Sequence, residues 1–131
     1  MTTQLLPTTS SQRLLRLLIV DDVARVRRDL RLLLSLSGGV EVVGEAANGL
    51  EALQQTNALQ PDVVLLDLEM PVMDGYEAAR QIKARWPACR VVAFSVYSYP
   101  SARQKADRAG VDEFIEKGAP LSEIFQKIGL L

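Results

Sequence analysis

The chain has 131 residues, enough for one domain around one core, since chains split into several domains only beyond about 250 residues. Its 15 Lys and Arg nearly balance 16 Asp and Glu, and the net charge of -1 gives no broad positive field for nucleic acid or anionic lipid. Zero histidines exclude imidazole bases and ligands, and a single cysteine, Cys89, excludes an internal disulfide and a cysteine zinc site.

At 48% hydrophobic and 24% charged residues, the chain is too apolar to remain disordered. The opening MTTQLLPTTSSQ lacks the basic and apolar regions of a secretory leader, and no apolar run approaches the ~20 residues that span a bilayer. The expectations are a mobile tail over residues 1–12, one domain over 13–131, no membrane partner, and a reducing, cytoplasmic location in which Cys89 serves packing.

Short apolar runs at Leu14–Val20, Val40–Glu45, Val63–Leu66, Arg90–Phe94 and Glu113–Ile115 read as strands. Between the first two, Val23, Val26, Leu30, Leu33 and Leu34 recur at helical steps, with Arg25, Arg27, Arg28 and Arg31 mostly off the stripe, up to Gly38-Gly39. Leu50–Leu59 predicts a second helix, stopped before Pro61. Tyr76, Ala79, Ile82 and Trp86 mark a third, stopped by Pro87. Ser101–Ala109 is a short fourth, and a fifth runs from about Pro120 nearly to Leu131. Strands alternating with helices predict an α/β domain with a parallel sheet covered on both faces.

The residues that end these strands carry the chemistry. Val20 is followed by Asp21-Asp22, Leu66 by Asp67, Phe94 by Ser95, and Ile115 by Glu116-Lys117. In an open parallel sheet all carboxyl ends lie on one edge, so residues almost a hundred positions apart meet in one crevice. Taken singly, Asp21 or Asp22 reads as a helix cap, Asp67 as a turn residue, Ser95 as a loop hydroxyl and Lys117 as a solvated charge. Taken together, three carboxylates need a cation, and Mg²⁺ accepts few protein oxygens while leaving room for a phosphoryl group. Lys117 adds a second positive charge, Ser95 a hydroxyl, and Asp67 a carboxylate nucleophile able to form an aspartyl-phosphate.

The segment Asp67-Leu68-Glu69-Met70-Pro71-Val72-Met73-Asp74-Gly75 resembles the receiver domain of two-component response regulators, the CheY-like family with the pattern D-x-x-M-P-x-M-D-G. Asp21-Asp22, Ser95 and the stretch GVDEFIEK over residues 110–117 extend the resemblance to about residues 13–131. It implies a doubly wound, flavodoxin-like (βα)5 fold with strand order 2-1-3-4-5, an order that receivers of this family illustrate. It also implies that Asp67 takes a phosphoryl group from a sensor histidine kinase or phosphotransfer protein. Mg²⁺ would be held by Asp21, Asp22, Asp67 and the backbone carbonyl of Glu69, with Lys117 on the phosphoryl.

The resemblance further implies a switch in which Ser95 moves toward the phosphoryl and Phe114 turns inward behind it. The readout would be the face of the fourth helix, fifth strand and fifth helix, meeting a protein effector or a second copy. Such a domain is a signalling module and not a turnover enzyme. Phe114 lacks a tyrosine hydroxyl, Val96 is bulkier than the usual Ala or Gly, Glu69 adds a fourth carboxylate, and Gly118 replaces a common proline. Tyr97 and Tyr99 lie beside the readout face. Competing readings are a phosphorylation-independent adaptor, an aspartyl-nucleophile phosphatase of the haloacid-dehalogenase kind with Glu69 as acid/base, and a flavin binder disfavoured by Asp21-Asp22.

Overall fold

A computed structural model of the protein describes residues 13–130; the tail expected at 1–12 and the terminal Leu131 lie outside the described residues. Five strands, β1 (Leu15–Val20), β2 (Val40–Ala46), β3 (Val63–Leu66), β4 (Arg90–Ser95) and β5 (Glu113–Glu116), alternate with five helices. The helices are α1 (Ala24–Ser35), α2 (Gly49–Leu59), α3 (Gly75–Arg85), α4 (Pro100–Arg108) and α5 (Leu121–Ile128). All strand pairs are parallel, and the order is β2-β1-β3-β4-β5, as the resemblance implies.

Alternation along the strands builds two cores. Leu18, Val20, Val64, Leu66, Val91 and Ala93 face α2, α3 and α4, where Leu53, Tyr76, Ala79, Ile82 and Ala106 complete one cluster. Leu17, Ile19, Val63, Leu65, Val92, Phe94 and Ile115 face α1 and α5, meeting Leu30, Leu34, Ile124 and Ile128. The central strands are buried on both sides, which is why they read as unbroken apolar runs. Cys89 is buried in the first cluster, and burial pushes its thiol up to about 11, in keeping with a packing role.

Several boundaries depart from the sequence reading. Val23 is the N-cap of α1 and largely exposed, and Leu33 is 39% exposed, so the apolar stripe of α1 narrows to Val26, Leu30 and Leu34. Arg27 is only partly exposed, because it turns back to the sheet edge and away from water. Helix α3 ends at Arg85, so Trp86 packs on the core from the C-cap. Helix α5 ends at Ile128 because Gly129, at φ 101°, takes the left-handed conformation that closes a helix.

A candidate phosphoacceptor and metal site at the carboxyl edge

Backbone hydrogen bonds carry the parallel register beyond the strands and gather their ends. The Asp67 amide donates to the Val20 carbonyl (2.9 Å), the Asp21 amide to the Ala46 carbonyl (3.1 Å), and the Lys117 amide to the Ser95 carbonyl (2.8 Å). Carboxylate oxygens of Asp21, Asp22 and Asp67 consequently lie within 4.8 Å of one another. Asp21 is 1% and Asp67 6% exposed, whereas Asp22 opens to solvent.

Lys117 reaches into this group from β5, with Nζ 2.8 Å from Asp21 Oδ2 and 3.7 Å from Asp67 Oδ2. Its ammonium also sits 5.6 Å from the centre of the Phe94 ring, whose face favours a cation. Ser95 is buried, and its Oγ accepts from the Tyr97 amide at 3.0 Å, leaving the hydroxyl proton free to donate. The five residues Asp21, Asp22, Asp67, Ser95 and Lys117 therefore converge on one edge.

The structure revises the cap reading of the acidic pair. Neither aspartate caps α1; Asp21 Oδ1 accepts from the Val23 amide at 2.9 Å in a side-chain turn, and Asp22 stays open to solvent. Glu69 is exposed, and its amide lies 3.4 Å from Asp67 Oδ1, while its carboxylate stands apart from the trio. In the following loop Asp74 caps α3 by accepting from the Glu77 amide at 2.9 Å. At Gly75 a Cβ would fall 2.1 Å from the Asp67 carbonyl oxygen, so only glycine lets α3 start against the backbone of Asp67.

The electrostatics call for a cation. Burial pushes the Asp67 carboxyl up to about 6; Lys117 pulls it down, and Asp21 raises it further, with a smaller push from Asp22. One ammonium, paired with Asp21 and Asp67, against three carboxylates leaves excess negative charge in a partly dry pocket. All-oxygen donors at this spacing, one of them open to water, fit a small hard divalent cation.

On β5, Phe114 is buried and the Arg103 guanidinium of α4 lies 4.5 Å from the centre of its ring. Tyr97 and Tyr99 are both exposed and meet edge to face at 6.2 Å, and Val96 beside them is exposed as well. Gly118, at φ 100°, continues the chain after Lys117 through a turn, and there are no cis peptide bonds among the described residues.

Comparison with known proteins agrees with this geometry. Residues 17–129 match the family described as the response regulator receiver domain. The chain is 46% identical over 104 residues to the protein-glutamate methylesterase/protein-glutamine glutaminase of Alkalilimnicola ehrlichii, covering 78% of this chain and 26% of that protein. It superposes with TM-score 0.83 on the signal receiver domain of the response regulator NarL from Mycobacterium tuberculosis, at 36% identity over 87% of this chain and 92% of that one. It also superposes, with TM-score 0.81 and 26% identity over 92% of this chain and 90% of that one, on the CheX-CheY-BeF3-Mg complex from Borrelia burgdorferi. The chain spans between 26% and 55% of the length of curated relatives such as these. With the family matched across most of its length and an acidic pocket built at the carboxyl edge, the chain belongs to the response regulator receiver domains of two-component systems.

Proposed function

We propose that this receiver accepts a phosphoryl group on Asp67 from a phosphohistidine of a sensor histidine kinase or phosphotransfer protein. The observation that carries this reading is the convergence of Asp21, Asp22 and Asp67 within 4.8 Å, with Lys117 on the same group. Asp21, Asp22, Asp67 and the Glu69 carbonyl would hold Mg²⁺, and a magnesium-containing CheX-CheY complex is among the proteins of similar fold. When bound, the ion supplies charge that keeps Asp67 ionised and offsets the phosphoryl oxygens.

The residues of the chain do the rest. A carboxylate oxygen of Asp67 attacks phosphorus as the donor's P–N bond breaks, and the electron pair returns to the imidazole nitrogen, which takes up a proton. Lys117, already 3.7 Å from Asp67, neutralises a phosphoryl oxygen, and the Ser95 hydroxyl donates to another. Drawing Ser95 inward would disturb the loop through Tyr97 and Tyr99 that leads into α4, and so bias the α4-β5-α5 face toward a protein effector or a second copy. The domain would act in the cytoplasm as a phosphorylated signal carrier with no turnover activity of its own. Labelled transfer from an autophosphorylated histidine kinase tests this: the label should need Mg²⁺ and vanish in Asp67→Asn. Steady turnover of a simple phosphate ester would favour a phosphatase instead.

A further inference from the structure

The turn that carries Asp21 and Asp22 is tied to the rest of the fold on its outer side by one guanidinium. Arg27, one turn into α1, donates from Nη1 to the Asp21 carbonyl oxygen at 2.6 Å. The same side chain donates from Nε to Glu45 Oε1 at 3.0 Å, at the end of β2. Glu45 is itself fixed, because its second oxygen accepts from Arg31 Nε at 2.8 Å. Arg27 is mostly buried at 18% side-chain exposure, against 47% for Arg31. The fork therefore joins the β2 end, α1 and the β1–α1 turn.

The turn needs such support. It carries two adjacent carboxylates facing a third, and the N-cap of α1, Val23, offers no side-chain bond to hold the helix start against them. Lys117 offsets the charge from inside the pocket, while Arg27 grips the backbone from behind. A guanidinium suits this place because it stays charged and presents several donors in a rigid plane, so one side chain binds a carbonyl and a carboxylate together. The Glu45 carboxyl is held below its ordinary range, chiefly by Arg31 and then by Arg27, and remains an anion able to anchor the fork.

We infer that Arg27 is a positioning residue for divalent-cation binding, acting through the Asp21 carbonyl to keep Asp21 and Asp22 set before the ion arrives. This rests on the phosphoacceptor reading of the site. Holding the ligands in place beforehand removes ordering entropy from binding, and outer partners of metal ligands typically change affinity by about 10- to 100-fold.

The test uses the whole chain with Arg27→Met, Arg27→Lys and, as a control on the same salt bridge, Arg31→Met. Two quantities are read: the Mg²⁺ dissociation constant by calorimetry, and amide exchange at Asp22 and Val23 without metal. Arg27→Met should weaken Mg²⁺ by about tenfold and speed exchange at both amides. Arg27→Lys, which keeps one charged donor for the carbonyl, should recover most of the loss, and Arg31→Met should stay within about twofold of wild type. Should Arg27→Met be too unstable to purify, Arg27→Gln, shorter and uncharged, carries the same expectation. Wild-type affinity and exchange in the Arg27 variants, or equal losses in Arg31→Met, would overturn the role and leave a plain structural clamp. A wild-type chain that binds no Mg²⁺ contradicts the proposed function, whereas unchanged exchange at Asp22 and Val23 contradicts the positioning role whatever the metal does.

Discussion

Lys117 Nζ lies 2.8 Å from Asp21 Oδ2 but 3.7 Å from Asp67 Oδ2, so the lysine rests against Asp21 and only leans on Asp67. Phosphorylation would hand that ammonium a stronger partner on Asp67. Lys117→Met should therefore raise the apparent pKa of Asp67 above about 6, since the coulombic pull of Lys117 is the largest influence holding it down. At pH 7 a rise from about 6 to about 7 would roughly halve the ionised fraction and with it the reaction with acyl phosphate, and each further unit would slow it about tenfold. A pH profile of phosphoryl incorporation for the two proteins checks this.

Asp67 also makes the metal-free fold sensitive to pH. Its carboxyl, raised in the folded state from 3.8 to about 6, favours folding fully below its unfolded value, and that contribution is lost as pH rises through about 6. Melting temperatures without metal should fall across this window in wild type. Asp67→Asn should flatten the fall and be the more stable protein at pH 7. Saturating Mg²⁺ should abolish the difference by stabilising the ionised carboxylate.

Glu69 stands in the open beside Asp67. Glu69→Asn removes one exposed negative charge from the path of an anionic donor, an effect of about 1 kcal/mol at contact distances in water. Incorporation from a small acyl phosphate should quicken up to about fivefold at low salt, and the gain should shrink as ionic strength rises. The lifetime of the phosphoaspartate should change as well; an unchanged rate and lifetime would remove Glu69 from the site.

Gly75, the first residue of α3, and Val72, in the loop after β3, test the backbone there. Gly75→Ala places a methyl group 2.1 Å from the Asp67 carbonyl oxygen and 2.7 Å from Leu68 Cα, so the backbone at Asp67 and Leu68 must shift. Urea unfolding should show a loss of roughly 3 kcal/mol, accompanied by weaker Mg²⁺ binding. Val72, at φ 72° and 80% exposed, holds a β-branched side chain in a region that suits asparagine or glycine. Val72→Asn should gain about 1 kcal/mol with metal binding unchanged.

The fold was largely legible because the central strands are buried on both faces and so appear as uninterrupted apolar runs, punctuated by Gly38-Gly39, Pro61 and Pro87. Helix edges were less so: Leu33 keeps the period of α1 yet is 39% exposed, since only part of that stripe meets β1 and β2. The convergence of Asp21, Asp22, Asp67, Ser95 and Lys117 followed from one topological rule about the carboxyl edge. Which carboxylate Lys117 prefers did not, because a difference of less than an ångström is set by side-chain placement in the folded site and not by spacing in the chain. Arg27 was hidden for a related reason: a long side chain one turn into an amphipathic helix reads as solvated until Glu45 is seen at the neighbouring strand end. The one trace in the sequence is Glu45 itself, a charge at the carboxyl end of the run Val40–Glu45.

Intact mass measurement after incubation with acetyl phosphate addresses the chemistry most directly, with and without Mg²⁺, on wild type and Asp67→Asn. Wild type should gain the mass of one phosphoryl group only when Mg²⁺ is present, and Asp67→Asn should gain none. An equal gain in both proteins, or a gain in wild type that survives chelation of the metal, would contradict a magnesium-dependent acceptor at Asp67.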